Sequence, residues 1–428
     1  MTESKPKVLL LTSANPNEGP GRMIYEWQKV FNVANIEADI MLLNPVKGHD
    51  EFLHVNDDTL LEKIKYYYNK VIYCRWFFRF SENHCFFYRK EENPRVSVRK
   101  LLSKIKKPYD MVLVQFWQGM LTFSSIEAIY DKLHCQIHFL GVDYSHMSGG
   151  CHFIGNCGQY KTGCKNCTEV KPLWLNRFAS HNVEYRKRVY EKVRPIVWGN
   201  TYMQSFYKQS YLLKDVRMET SGMTADLSDI KPVEPYALRE ELCIDSKYKW
   251  IIAFGCQGLN DPRKGMKYLL EALQIFYNRL DAEQRESILI LTAGKVSKDV
   301  DDLIPFSAKH LGFVSYEILK KFYAVSDVFL SPSVNDAGPM MVNQALCCGT
   351  PVVSFEMGTA LDCIKGQGTG YCAELRNSED FAKGILSIYS QTISAKREMR
   401  YLCRKFAEDN YGYEAKAKRL VALYNKYK

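Results

Sequence analysis

A carboxylate and a carboxamide eight positions apart, Asp336 and Gln344, lie at the start of one predicted helix. Both side chains accept hydrogen bonds from hydroxyl groups and could approach one ligand. Pro339 suits the first helical position, where its missing N–H costs no hydrogen bond. Unpaired N–H groups at a helix start bind anions, so the sequence predicts a phosphate site, with an ordinary strand–helix unit as the alternative. Its predicted donors are the backbone N–H groups of Gly338, Met340 and Met341.

Two adjacent cations, Arg263 and Lys264, precede Gly265 at the start of another predicted helix. Fixed cations in a cleft without water stabilise a departing diphosphate. The alternative is a solvated helix start. The pair is therefore a second candidate for the phosphate site.

The first half of the chain carries its own polar candidates. Asp143 follows the predicted strand Ile137–Val142, and His146 comes three positions later. Either side chain could contact a ligand hydroxyl, and a structural role is the alternative for Asp143. A glycine loop that opens a helix can approach phosphates closely, although a plain turn would look the same. That loop contains Gly19, Gly21 and Arg22.

Four cysteines fall within seventeen residues, among glycines, and end in a C-x2-C pair. Four thiolates can close a tetrahedral structural zinc site. Free thiols and disulfides are the two alternatives. A closed zinc site would order the loop and take no part in catalysis. The residues are Cys151, Cys157, Cys164 and Cys167.

The elements that must position these residues alternate along the chain. Short apolar runs rich in β-branched residues indicate buried parallel strands, and amphipathic segments between them indicate helices. This alternation predicts an α/β protein with parallel sheets, in which ligands bind beyond the carboxyl ends of strands. The predicted strands are 8–12, 38–43, 111–116, 137–142, 196–199, 217–221, 250–255, 288–293, 327–331 and 351–355.

Size and composition limit the function further. A chain of 428 residues suits two domains, and no run approaches the about 20 apolar residues of a membrane span. The run Val8–Leu11 is too short for a signal peptide, so we expect a cytoplasmic protein with reduced thiols. The formal net charge of +10 favours acidic partners.

A basic and aromatic stretch runs from Arg75 to Lys107. Cations beside aromatic rings suit an anionic membrane surface and would also suit nucleic acid. A buried aromatic core beside a solvated basic helix is the structural alternative. No recognised nucleic-acid motif is present, so we predict no nucleic-acid partner.

The segment Gly349-Thr350-Pro351-Val352-Val353, which follows Gln344, carries a resemblance to a known family. It resembles the family 4 retaining glycosyltransferases of the GT-B fold, whose signature is E-x7-E followed by a segment that ends in Gly-Thr-Pro-Val-Val. Asp336 and Gln344 occupy the positions of the two glutamates. The spacing agrees, while both residue types differ from the family pattern.

The resemblance implies roles for the candidate residues. Lys264 would contact the donor diphosphate, and Arg263 would replace a family arginine whose position holds Leu259. Backbone atoms near Gly312 and Val314 would bind the nucleotide base, which we expect to be uracil or guanine. Asp143 keeps the aspartate of a family His-Asp pair. The glycine loop would meet donor phosphate or acceptor.

The cysteine loop resembles that of a bacterial capsular and exopolysaccharide subgroup of the colanic-acid type, through Gly149-Gly150-Cys151-His152. The resemblance implies transfer of a sugar, with retained configuration, from a UDP- or GDP-linked donor to a glycan hydroxyl. The acceptor would be linked to a lipid diphosphate at the inner face of the plasma membrane. No catalytic cofactor is required.

The resemblance also implies two Rossmann-like domains with a cleft between them. We expect an acceptor domain at 1–230, with a cysteine loop at 149–168, and a donor domain at 231–410. A last helix at 411–428 would return to the first domain. The alternatives are a nucleotide-sugar epimerase and a catalytically inactive GT-B scaffold subunit of a membrane assembly.

Overall fold

The computed structural model describes residues 5–17, 19–57, 59–70, 90–170, 176–220, 222–255 and 261–427. Contacts between residues divide the chain into two compact units. Unit 1 contains residues 1–224 and 416–428, and unit 2 contains residues 225–415.

Unit 1 is built on a parallel sheet of seven strands among the described residues, in the order β3-β2-β1-β4-β5-β6-β7. Neighbouring strands are parallel throughout. The central strands are buried along their length, as strands covered by helices must be. The strands are β1 Lys7–Thr12, β2 Glu37–Leu42, β3 Leu53–His54, β4 Met111–Gln115, β5 Gln136–Leu140, β6 Ile196–Gly199 and β7 Arg217–Thr220.

Helices connect these strands in chain order. The longest, α5, buries eight residues along its seventeen-residue length. The helices are α1 Gly19–Val33, α2 Leu60–Lys70, α3 Val98–Lys104, α4 Phe123–Leu133, α5 Arg177–Val193 and α6 Thr201–Tyr207.

Unit 2 has its own parallel sheet, of six strands in the described part, in the order β10-β9-β8-β11-β12-β13. The order changes direction beside β8, so loops after β8 and β11 lie at a switch point, where such sheets bind ligands. The strands are β8 Trp250–Gly255, β9 Ile288–Ala293, β10 Ser307–His310, β11 Val328–Ser331, β12 Val352–Phe355 and β13 Gly370–Ala373.

The helices of unit 2 complete the strand–helix alternation. They are α7 Pro235–Glu241, α8 Met266–Asn278, α9 Ala282–Glu286, α10 Lys298–Asp301, α11 Tyr316–Ala324, α12 Met340–Cys347, α13 Ala360–Cys363, α14 Ser378–Tyr389 and α15 Ile393–Asn410. A last helix, α16 Tyr413–Tyr427, crosses the boundary between the units at 415/416.

The predicted α/β class with two parallel sheets is confirmed, and all ten predicted strands are present within one or two residues of their predicted ends. Three further strands, β3, β10 and β13, had not been predicted. Each lies at a sheet edge. β10 is the sequence Ser-Ala-Lys-His and is mostly exposed. An edge strand needs no continuous apolar run, so periodicity gave no signal for it.

The unit boundary falls at Thr224/Ala225, and Pro235 begins α7. Residues 416–427 pack on the earlier part of unit 1: the Lys416 ammonium lies 5.9 Å from the ring centre of Trp27. Lys426 also donates a 2.7 Å bond to Glu219. Among the described helices, none has the length and apolar character to cross a bilayer.

Candidate functional site

The loops after β8 and β11 pack closely in unit 2. Gly265 has φ +69, and a Cβ there would lie 1.8 Å from the Pro332 carbonyl oxygen. Only glycine fits this approach, because any side chain would collide with the neighbouring backbone. The Val334 N–H donates to the Arg263 carbonyl at 2.8 Å. The contact explains why residues 72 positions apart, Lys264 and Asp336, meet.

Lys264 and Asp336 form an ion pair at the carboxyl edge of this sheet. The Lys264 ammonium donates to Asp336 Oδ2 at 2.6 Å, and both side chains are largely buried. Burial alone would raise the pKa of Asp336. The charge and hydrogen bond of Lys264, with the Gly338 N–H, outweigh that effect and hold this pKa below its usual value. The site therefore holds a fixed cation beside an ionised carboxylate.

The start of α12 differs from the sequence prediction. Pro339 has ψ 115 and stands at the N-cap, so the helix begins at Met340 rather than at the proline. The Gly338 N–H donates to Asp336 Oδ1 at 3.1 Å. Asp336 therefore caps this turn, and Gly338 is not one of the open N–H groups that the sequence predicted. Met340 and Met341 remain partly exposed at the helix start.

Gln344 lies inside α12 and is buried. The Tyr323 hydroxyl donates to its Oε1 at 2.9 Å. This bond fixes the carboxamide and directs its amide nitrogen away from Tyr323. Gln344 thus offers a ligand a donor, where a carboxylate would offer only acceptors.

Arg263 turns back to its own loop. Its Nε donates to Asp261 Oδ1 at 3.2 Å, and a second guanidinium nitrogen also contacts Asp261. Arg263 is still near enough to Asp336 to lower the pKa of that carboxylate. The structure therefore brings Arg263 beside the Lys264–Asp336 pair.

The predicted base-binding turn lies at the same edge of the sheet. Gly312 has φ +67, and its carbonyl accepts a 2.7 Å bond from the Gly294 N–H after β9. Val314 precedes Ser315, which caps α11 through the Ile318 N–H. Because all strands of this sheet are parallel, this turn shares the carboxyl edge with Lys264.

In unit 1, Asp143 is almost fully buried just after β5. Oδ1 accepts the Ser145 N–H at 2.7 Å, and Oδ2 accepts Gln118 Nε2 at 3.0 Å. His152 Nδ1 lies 2.9 Å from the same Oδ2. Burial opposes ionisation, but His152, His146 and these hydrogen bonds together place the pKa of Asp143 below its usual value.

His146 points into the core. It is 0% exposed and packs edge-on against Trp117, with ring centres 4.5 Å apart. Burial lowers the pKa of His146 to about 4, so the ring is neutral at pH 7. Its Nδ1 lies 3.9 Å from Asp143 Oδ1. His146 therefore lies beside Asp143 on its buried side, within the core of unit 1.

His152 was not among the residues selected from the sequence. Its side chain is 21% exposed, whereas that of Asp143 beside it is buried. The signal available was its position directly after Gly149-Gly150-Cys151. Sequence alone could not bring it to Asp143, nine positions earlier.

The glycine loop after β1 begins α1 at Gly19. A Cβ at Gly21 would lie 1.8 Å from the Asn15 carbonyl oxygen, so close packing of the loop requires this glycine. Arg22 Nε donates to Glu26 Oε1 at 3.0 Å along the same helix. These residues share the carboxyl edge of the first sheet, because β1 and β5 are parallel to β4.

The cysteine loop packs in unit 1 with Cys151, Cys164 and Cys167 buried and Cys157 partly exposed, and none of the four forms a disulfide. Burial first, then the neighbouring cysteines, raise the pKa of Cys151. Burial also raises the pKa of Cys164 to about 12 and raises that of Cys167. Backbone hydrogen bonds, at Gly149 for Cys164 and at Val170 and Glu169 for Cys167, partly oppose this rise. In the described residues, no three His, Cys, Asp or Glu side chains form a ready metal site.

Residues 75–89 of the basic and aromatic stretch lie outside the described residues. Two of its later lysines form ion pairs within unit 1. Lys104 donates to Asp57 at 2.9 Å, and Lys107 donates to Glu37 and Asp39 at 3.0 Å. Carboxylates of unit 1 therefore neutralise part of the positive charge of this stretch.

Comparisons with known proteins agree with this architecture. Residues 256–406 match the family described as "Glycosyl transferases group 1". An uncharacterised glycosyltransferase of Methanocaldococcus jannaschii is 24% identical over 314 residues, which cover 69% of this chain and 75% of that protein. An uncharacterised 41.2 kDa protein in the cps region of Klebsiella pneumoniae is 24% identical over 170 residues, 40% of this chain and 45% of its own length.

Among solved structures, Anabaena HepE in complex with UDP and glucose superposes with a TM-score of 0.64 at 13% identity, covering 98% of this chain and 100% of that one. The fold of this chain is thus the two-sheet GT-B architecture of glycosyltransferases. The matched segment, 256–406, includes Lys264, Asp336 and Gln344. Over this segment the chain is therefore similar to group 1 glycosyl transferases.

Proposed function

We propose that this protein is a retaining glycosyltransferase that transfers a sugar from a nucleoside-diphosphate sugar to a hydroxyl group of a glycan. The Lys264–Asp336 pair, beside the start of α12, carries this proposal. A diphosphate leaving group needs a fixed cation, and Lys264 is held in place before any ligand binds. HepE, of the same fold, holds UDP, which favours a uridine nucleotide as donor.

Each group of the site has a separate proposed task. Lys264 balances the negative charge that develops on the departing diphosphate, while Arg263 adds positive potential beside it. Asp336 accepts a hydrogen bond from the donor sugar. Gln344 donates its amide N–H to the ribose. In this scheme the leaving phosphate takes the acceptor proton, and the chemistry needs no cofactor.

Polysaccharide biosynthesis is the proposed setting. The cps-region relative of Klebsiella pneumoniae supports it, as does the Gly-Gly-Cys-His segment that the sequence shares with an exopolysaccharide subgroup. The proposed acceptor is a glycan on a lipid diphosphate, and the proposed location is the cytoplasmic face of the membrane. The donor base and sugar follow from the experiment below.

A thermal-shift panel of UDP, GDP and their sugars tests the donor site. Binding to the folded state stabilises it by about 2.7 kcal/mol at a hundredfold excess over Kd. We expect one base to raise Tm, and Lys264→Ala and Asp336→Ala to abolish that rise relative to each variant's own ligand-free Tm. Lys267→Ala is the matched control, because that lysine, in the first turn of α8, is 79% exposed. No shift for any nucleotide would contradict the proposal.

Helix α2 supports the membrane part of the proposal. Leu60, Leu61 and Ile64 are 74%, 69% and 57% exposed, and Lys65 is exposed beside them. Apolar side chains next to lysines suit an anionic bilayer surface. We expect sedimentation with vesicles that contain phosphatidylglycerol, less with neutral vesicles, and a loss of binding in a variant with serine at all three apolar positions. Equal binding of that variant would exclude α2 as the contact.

A further inference from the structure

We infer that His152 is the residue of unit 1 that contacts the acceptor hydroxyl, through its Nε2 atom. This inference rests on the proposed transferase function and names a residue that neither the sequence motifs nor the comparisons assign. Its basis is a polar arrangement at the carboxyl end of β5, where a parallel sheet binds its ligands.

Asp143 fixes the His152 ring. The carboxylate is 1% exposed, and three groups direct it: the Ser145 N–H, Gln118 Nε2 and His152 Nδ1. A carboxylate held in this way selects the tautomer and orientation of the imidazole. Since Nδ1 faces Asp143, any contact with a ligand falls to Nε2.

Exposure separates the two histidines around Asp143. His146 is 0% exposed and is enclosed by Trp117 and Phe139, whereas His152 is 21% exposed. A ligand that enters from the sheet edge can therefore reach His152 but not His146. Asp143 itself has too little surface to meet a ligand.

The backbone conformation near His152 also supports a functional site at this end of β5. Phe116, which follows β4, has φ 41, and its ring lies 6.4 Å from that of His152. A bulky residue in the left-handed region is uncommon, and such strain concentrates at functional sites. The Ser13 hydroxyl donates to the Phe116 carbonyl, and the Tyr144 N–H donates to the His152 carbonyl at 3.1 Å. The loop after β1 thus contacts the loop after β4, whose Phe116 ring lies near the imidazole, and the loop after β5 holds the His152 backbone.

Two substitutions separate a ligand contact from simple pairing with Asp143. The amide of asparagine reproduces the position of Nδ1, and that of glutamine reaches the position of Nε2. His152→Asn should therefore keep the Asp143 contact and lose the ligand contact, while His152→Gln should restore part of it. His134→Asn is the control, because His134 is an exposed residue with φ 50, a conformation that asparagine tolerates.

The assay uses water as the acceptor, because the glycan need not be known. UDP-glucose, or GDP-mannose if the nucleotide panel selects guanine, is incubated with the full chain, and release of the nucleoside diphosphate is timed. We expect His152→Asn to slow release about tenfold, the equivalent of one lost hydrogen bond. His152→Gln should be intermediate and His134→Asn unchanged. Tm and the Kd for the nucleoside diphosphate should stay at wild-type values.

The outcomes distinguish this inference from the proposed function. Release by His152→Asn at the wild-type rate, or a parallel loss of nucleotide affinity, would overturn the contact between His152 and the acceptor. A wild-type protein that neither binds nucleotides nor releases them would contradict the transferase function itself.

Discussion

At the scale of single residues, the proposed donor site depends on hydrogen bonds that orient side chains before a ligand binds. Asp336 is ionised because Lys264 outweighs its burial. Gln344 is oriented because Tyr323 occupies its carbonyl. Such preorganisation lowers the cost of ordering side chains on binding.

Tyr323→Phe tests the orientation of Gln344. We expect it to reduce the free energy of unfolding by about 1 kcal/mol and to weaken nucleotide binding, because the carboxamide loses its fixed partner. Isothermal titration with the selected nucleotide measures the second effect. The control is Tyr371→Phe, which removes a hydroxyl that donates to Asp380 instead. An equal loss of affinity in both variants would contradict the role of Tyr323.

At the scale of elements, each site depends on close contact between loops that leave neighbouring strands. In unit 2 that contact is the approach of Gly265 to Pro332. In unit 1 the buried Arg186 of α5 donates to the carbonyls of Ser145 and Ser148 and pairs with Glu91. These contacts hold the loop that carries Asp143 and the cysteines.

Gly265→Ala should disrupt the proposed donor site through backbone strain. The new Cβ would combine φ +69 with a collision at 1.8 Å, so Lys264 must move away from Asp336. We expect loss of nucleotide-induced stabilisation and a lower ligand-free Tm. Gly366→Ala provides the comparison, since its φ is +75 but a Cβ there meets nothing within 4 Å. It should cost about 1 kcal/mol of strain and leave binding intact.

The cysteine loop gives a prediction of its own. We propose that it binds one structural zinc ion, since four soft thiol ligands lie within one loop. Backbone hydrogen bonds also favour the thiolate forms of Cys164 and Cys167, against the effect of burial. Binding would draw the sulfurs together and release their protons. Elemental analysis of protein purified without chelators should find about one zinc per chain, lost in Cys164→Ser and kept in Cys135→Ser. Absence of zinc from the wild-type protein would favour free thiols.

At the scale of the whole molecule, the two units differ in their described histidines. Unit 1 buries His138 and His146 without charge, while His310 of unit 2 is 29% exposed. Trp198 Nε1 donates to His138 Nδ1 at 2.9 Å, which requires that nitrogen to be unprotonated. Burial lowers the pKa of His138 to about 3.

Mild acid should therefore destabilise unit 1. The folded-state pKa of His146 is about 4, below the ordinary 6.5, so the unfolded chain binds more protons between these values. Stability then falls as pH drops from 6.5 towards 4, by up to about 1.4 kcal/mol per pH unit for each histidine. Urea unfolding at pH 7.5 and 5 measures this slope. It should decrease in His146→Gln and not in His134→Asn. An unchanged slope in His146→Gln would contradict the assignment.

The sequence by itself determined the class and most elements of this protein. Buried parallel strands need continuous apolar runs, and helices on both faces need amphipathic patterns, so both features are legible in the chain. It also determined that Lys264, Asp336 and Gln344 follow strands, because each of the two apolar runs ends before these polar residues begin. Short edge strands such as β10 were not predicted, because they bury few apolar side chains.

Only the tertiary structure decided which polar groups meet. Lys264 and Asp336 are 72 residues apart in sequence. They meet because each follows one of two strands, β8 and β11, that are neighbours in the sheet. His152 reaches Asp143 because its loop folds back over the end of β5, which no local pattern encodes. Burial, likewise a property of the whole fold, enclosed His146 and left His152 partly exposed. Sequence periodicity reports which face of an element is apolar, whereas pairing of side chains depends on how separate loops pack.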